Sequence, residues 1–156
     1  IGLGGQPHAF PFIAPETGTV NEIGVRVTSA DSGMSLYVAI YSNDANNLPS
    51  SLLGYATISL TSTGDIYDSS LSSNPSLTAG TAYWYTVHGD QVMYNGVIQS
   101  NTLVYLPDLG ITGGLTDQTY SLKDGATTQY AVPPATLTPN TLNTTVTRPY
   151  VGIKYA

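Results

Sequence analysis

The sequence predicts an all-β protein: an antiparallel two-sheet β-sandwich of jelly-roll type with a long irregular insert before its last strand. Three observations carry this expectation. Apolar residues recur with period two in short bursts, turn residues separate the bursts, and no window places an apolar stripe at the three-and-four spacing of a helix. The length of 156 residues suits one domain that buries its own core.

Residues 1–19 read as an extended N-terminal segment or linker, with Gly2, Gly4 and Gly5 ahead of His8-Ala9-Phe10-Pro11-Phe12-Ile13. Pro7, Pro11 and Pro15 permit an edge strand, or a segment laid on a partner, but argue against a central strand. The sandwich then occupies residues 20–156. In Val20–Thr28 the residues Ile23, Val25 and Val27 alternate with Glu22, Gly24 and Arg26; in Met34–Tyr41, Leu36, Val38 and Ile40 alternate with Tyr37, Ala39 and Tyr41. Tyr55–Leu60, Asp65–Ser69, Ala82–His88, Val92–Ile98, Thr102–Leu106 and Tyr150–Tyr155 complete a set of about eight strands, the number of a jelly roll. Asp31-Ser32-Gly33, Asn43 to Pro49, Thr63-Gly64-Asp65, Asn74-Pro75, Ala79-Gly80, His88-Gly89-Asp90 and Asn95-Gly96 supply the turns. A roll of this kind brings its first and last strands together, which ties Tyr150–Tyr155 into the core.

The insert spans about residues 107–147 and holds Gly113-Gly114, Pro133-Pro134 and Pro139, with weak strand character near Thr119–Leu122 and Gln129–Val132. An excursion of this length is a solvent loop or an arm lying on a neighbouring subunit.

Only 9% of the residues are charged, ten acidic against four basic, and there is no cysteine. The net charge of −6 leaves too little lysine and arginine to neutralise phosphates, so neither nucleic acid nor an anionic membrane is an expected partner. Disulfides are unavailable, and no apolar run is long enough to span a bilayer.

Groups able to do chemistry are scarce. His8 and His88 stand alone at turn-like positions where exposure is the expectation, and no G-x-S-x-G is present, so no catalytic residue is assigned. Asp65 and Asp68 are three apart, which puts them on opposite faces of a strand rather than across a cleft. Gly2-Leu3-Gly4 does not complete a dinucleotide fingerprint. Two distant histidines without cysteine do not make a zinc site. Asn43-Asp44-Ala45-Asn46-Asn47 alternates oxygen donors, but with a single carboxylate it reads as an Asx-type turn before a calcium loop. No metal and no cofactor is expected.

The aromatic residues carry more information. If Leu36, Val38 and Ile40 face inward, Tyr37 and Tyr41 face outward; in Ala82–His88, Tyr83, Tyr85 and Val87 share one face and Trp84 takes the other. Outward aromatics pack across strands, anchor a subunit interface or stack on sugar rings. Tyr37, Tyr41, Tyr83, Trp84 and Tyr85 are therefore the candidate ligand or subunit-interface residues.

Several segments together resemble small jelly-roll domains on bacteriophage virions. Leu36-Tyr37-Val38-Ala39-Ile40-Tyr41-Ser42-Asn43-Asp44 followed by Asn47-Leu48-Pro49-Ser50-Ser51-Leu52-Leu53-Gly54 is similar to their strand, polar turn and Pro, Leu-Leu-Gly segment, and Leu77-Thr78-Ala79-Gly80-Thr81-Ala82-Tyr83-Trp84-Tyr85 to the turn and strand that follow. Arg148-Pro149-Tyr150-Val151-Gly152-Ile153-Lys154-Tyr155 resembles the closing strand of phage fibre proteins. The resemblance implies a non-enzymatic protein on the extracellular virion surface: a tail fibre or appendage domain for host attachment, a homotrimer with other virion proteins as partners and a host surface glycan or protein as target. It equally suits a capsid decoration protein clamping capsomers through its N-terminal segment, or a carbohydrate-binding module. Few trypsin sites and few ions to desolvate suit a durable assembly.

Overall fold

The computed structural model describes residues 7–90, 121–124, 132–137, 139–143 and 149–156. The chain is an all-β sandwich of two antiparallel sheets. Its strands are β1 (His8–Ile13), β2 (Gly18–Val27), β3 (Ser35–Asn43), β4 (Pro49–Ser59), β5 (Gly64–Asp68), β6 (Ser76–Leu77), β7 (Ala82–Gly89), β8 (Ser121–Asp124), β9 (Pro139–Asn143) and β10 (Val151–Tyr155). The larger sheet runs β4-β3-β7-β1-β8-β9; the smaller runs β10-β2-β5, with β6 pairing the start of β2. From β1 to β7 the chain changes sheet between successive long strands except at the β3–β4 hairpin; β7, β8 and β9 stay in the larger sheet before the chain crosses to β10. That alternation rolls the two sheets together in the jelly-roll manner, and it lays β10 against β2 from Val151↔Val25 to Tyr155↔Val20.

Period-two alternation decides what lies between the sheets. Val20, Ile23, Val25 and Val27 from the smaller sheet meet Phe10, Leu36, Val38, Ile40, Ala56, Ile58, Tyr83, Tyr85 and Val87 from the larger one in a single buried cluster. Removing an aliphatic side chain of this size from water contributes about 1.5–3 kcal/mol, so the alternation itself holds the fold together.

Residues 8–13 do not form a free segment or an edge strand. They are β1, paired along β7 from His8↔Val87 to Ile13↔Ala82 and by β8 on the other flank. Pro11 is accommodated because β8 reaches only His8 and Ala9, which among the described residues leaves the Pro11 end of β1 paired along β7 alone, the edge-like position that a strand proline tolerates. Part of the insert before β10 is also ordered into the sheet as β8 and β9, paired from Ser121↔Asn143 to Asp124↔Pro139. The expected strands Val92–Ile98 and Thr102–Leu106, and the turn Asn95-Gly96, lie outside the described residues.

Candidate functional site

The outer face of the larger sheet carries the aromatic rows. Tyr41 and Trp84 point away from the inter-sheet core, yet both are fully buried. They form a second cluster with Ala9, Ala39 and Leu137, bordered by Leu48, Leu52 and Tyr55. The cover is the chain's own insert. Residues 132–137 run beside β4, with the Leu52 amide donating to the Ala135 carbonyl (2.9 Å), the Leu137 amide donating to the Ser50 carbonyl (3.1 Å) and a bridge at Ser51↔Thr136. The Tyr41 hydroxyl donates to the Pro134 carbonyl at 2.7 Å, and the Trp84 indole N–H donates to Asn43 Oδ1 at 2.8 Å.

The candidate residues therefore separate. Tyr83 and Tyr85 are corrected to core residues: they face inward, and the Tyr83 hydroxyl accepts from the Thr78 amide while the Tyr85 hydroxyl donates to the Pro149 carbonyl. Tyr41 and Trp84 are corrected to a satellite core, because an intramolecular segment already occupies the face a ligand or subunit would need. Tyr37 alone among them stays partly exposed, edge-on to Tyr55 at 6.1 Å and stacked on His88 at 5.2 Å. Burial raises the Tyr37 phenol pKa above its ordinary value.

Both histidines are buried rather than exposed, because both lie in paired strands and not in turns. Neither ring nitrogen of His88 has a hydrogen-bond partner among the described residues, nor does the neighbouring Thr86 Oγ1. Desolvation pushes the His88 imidazole down to about 4, so it is neutral near pH 7.

The carboxylates are engaged structurally. Asp44 Oδ1 accepts from the Asn46 and Leu48 amides, and Asn47 beside it takes the left-handed conformation (φ 59°), so this loop is the Asx-type turn. Asp31 accepts from the Gly33 amide and Asp90 from the Ser35 amide; Asp68 accepts from the amides of Thr57 and Ser70. Among the described residues no group of three or more His, Cys, Asp or Glu is placed to hold a metal ion.

The outer face of the smaller sheet holds a constellation that the sequence reading missed. Gly24 pairs with Gly152 on one side and with Tyr67 on the other, so one cross-strand row reads Gly152, Gly24, Tyr67. The Tyr67 ring lies flat in the trough the glycines leave. A Cβ on Gly24 would meet the Ile66 carbonyl and, at 2.6 Å, the edge of the ring; one on Gly152 would meet the Tyr67 hydroxyl. The next row pairs Arg26 with Asp65, Nε to Oδ1 at 2.6 Å and Nη2 to Oδ2 at 2.5 Å. The row on the opposite side pairs Lys154 with Glu22 at 2.5 Å. Lys154 Nζ stands 3.9 Å from the Tyr67 ring centre, and the Arg26 guanidinium 5.6 Å from that of Tyr150. The Arg26 hydrogen bond, then its charge, holds Asp65 below the usual carboxylate range, and Asp65 reciprocally raises Arg26. The available signal was a glycine inside each of two apolar strands, which marks a close approach.

Comparison with protein-family models, with curated proteins and with solved structures finds no match to this chain.

Proposed function

We propose that this chain is a non-enzymatic structural protein of a bacteriophage virion surface, a tail fibre or appendage domain that takes part in host attachment. The observation that carries the reading is the use made of the reactive side chains. Asp31, Asp44, Asp65, Asp68 and Asp90 all serve turns, strand ends or an ion pair, and His88 is buried neutral, while the chain invests its residues in a rolled, charge-poor sandwich. The likeness of the β3–β4 and β7 segments to virion jelly rolls supports the same reading. Oligomeric assembly draws its support from the scarcity of charge, since the aromatic rows are satisfied within the chain. The decoration alternative is less well supported in its clamping form, because residues 8–13 are committed to the sheet.

Antibody labelling of intact particles tests the proposal. Label at the tips of tail appendages, with loss of adsorption to host cells, is the expected result. Label spread over the capsid replaces it with the decoration reading. Light scattering of the purified chain reads the assembly state, and a monomer at high concentration removes the trimer.

A further inference from the structure

We propose that the outer face of the smaller sheet is a carbohydrate-contact site in which Tyr67 is the stacking platform and Arg26, Asp65, Glu22 and Lys154 hydrogen-bond the hydroxyls of a neutral sugar. The proposal adds a ligand class and a location to the attachment reading, and it rests on that reading only for where the sugar comes from.

A tyrosine in a sheet ordinarily stands roughly perpendicular to it and shows solvent an edge. Here the row Gly152, Gly24, Tyr67 removes the neighbouring side chains and the ring lies down, turning one π face to the sheet and the other outward. Lys154 Nζ sits on the outward face, 3.9 Å from the ring centre, so that face attracts positive charge and a sugar stacks there by displacing the ammonium, whose exposed side chain then turns to the sugar hydroxyls. The polarised C–H bonds of a pyranose present the same sign of charge to a ring, without an ammonium's cost of desolvation.

Filling the trough accounts for the ring but not for its surroundings. The rows on either side hold Arg26 with Asp65 and Lys154 with Glu22, about 13 Å apart along the strands, which is room for one or two sugar units over the ring. Exposed ion pairs add little to stability, and this chain has only four basic residues in all, two of which stand here. Guanidinium and ammonium supply donors, and the two carboxylates supply acceptors. Equal numbers of cations and anions make the face neutral overall, which disfavours phosphates and cationic ligands and suits a polyol with one apolar side. Tyr150, beneath the Arg26 guanidinium, extends the aromatic surface.

The test uses the purified chain, first on a printed array of bacterial-surface and host oligosaccharides. Amide NMR titration then follows with methyl α-glucoside, methyl β-galactoside and any saccharide the array selects. Gly24 and Gly152 lie under the Tyr67 ring, so their amides report on it directly. The expected result is saturable shifts centred on these two glycines, weakened by about tenfold or more in Arg26→Gln and abolished in Tyr67→Ala, with Tyr67→Phe retaining the stack and Tyr37→Ala binding as the parent does. If Tyr67→Ala fails to fold, Arg26→Gln and Glu22→Gln, which leave the ring in place, carry the test. No saturable shift at either glycine with any saccharide overturns the site, as does binding that ignores Arg26→Gln and Glu22→Gln. Either outcome leaves the attachment reading to its own test, the labelling of particles, so the two can fail separately.

Discussion

The outer faces of the two sheets solve the same problem in opposite ways. On the larger sheet, Tyr41 and Trp84 stand beside Ala9 and Ala39, a low apolar surface that residues 132–137 cover with Pro133, Pro134 and Leu137. On the smaller sheet, Tyr67 lies on Gly24 and Gly152 between two ion pairs, and the Lys154 ammonium, 3.9 Å from its ring centre, is its outer neighbour. An outward aromatic is thus not by itself a binding residue. Its cross-strand row decides: alanines and a bulky neighbour invite a cover by another chain segment, whereas glycines and charges keep the ring flat beneath one exposed lysine.

Trp84→Ala should break the covered face most severely. It deletes the largest fully buried side chain and leaves Asn43 Oδ1 without its donor, so a loss of about 3–5 kcal/mol is expected in chemical denaturation. Because the cover is intramolecular, the loss should not depend on protein concentration. A loss that shrinks as the chain is diluted would show instead that a partner buries this face.

His88 gives the same face a pH dependence. Its folded pKa, about 4, lies below the ordinary imidazole value of 6.5, so the unfolded chain binds the proton more readily between those values. Stability is therefore fully present above about pH 6.5 and falls as the pH drops toward 4, by about 3 kcal/mol in all, after which this contribution stays constant. Tyr37, stacked on the imidazole, has its pKa raised and is uncharged across this range, and Asp90 accepts from the Ser35 amide. Replacing His88 with Phe should flatten this part of the profile; an unchanged profile would assign the dependence to the carboxylates.

Much of this contrast could be read from the sequence, and the remainder could not for definite reasons. Strands β2, β3, β7 and β10 were legible because each alternates cleanly, and the opposite facing of Trp84 from Tyr83 and Tyr85 followed from the same period. Which face met water did not follow, since the cover arrives from Pro134 and Leu137, far along the chain from Tyr41. The open face was harder still. Its defining row joins residues 24, 67 and 152, and only register brings them together. The prolines of β1 allowed an edge strand but not its place between β7 and β8, because β8 pairs with His8 and Ala9, ahead of Pro11, and comes from far along the chain.

Gly24→Ala should perturb the open face at intermediate strength. A methyl there meets the Ile66 carbonyl, which cannot swing aside as a side chain can, and overpacking of this sort costs about 1–3 kcal/mol. The amide shift of Gly152 should change as the ring is lifted. Adding Tyr67→Ala should recover only part of the loss, because the carbonyl contact remains. Full recovery would mean that the ring alone sets the requirement for glycine. Tyr41→Phe on the covered face should cost about 1 kcal/mol by removing the hydrogen bond to Pro134, and should leave Gly152 unmoved.

Arg26→Gln should have the smallest effect of all on stability, and that smallness is informative. Arg26 and Asp65 shift each other's pKa through a two-pronged hydrogen bond, yet their side chains are 45% and 39% exposed. Water and salt screen such a pair, so the melting midpoint at pH 7 should stay within the scatter of repeated scans. Its pH dependence has the same sign as the imidazole's but a different cause: Asp65, with its pKa depressed by the Arg26 hydrogen bond, contributes above its unfolded pKa and loses that contribution as the pH falls through the folded one. A large drop in the midpoint would make the ion pair a structural strut, whose partners could not be diverted to a ligand. An unmoved midpoint leaves both side chains free to exchange one hydrogen-bond partner for another.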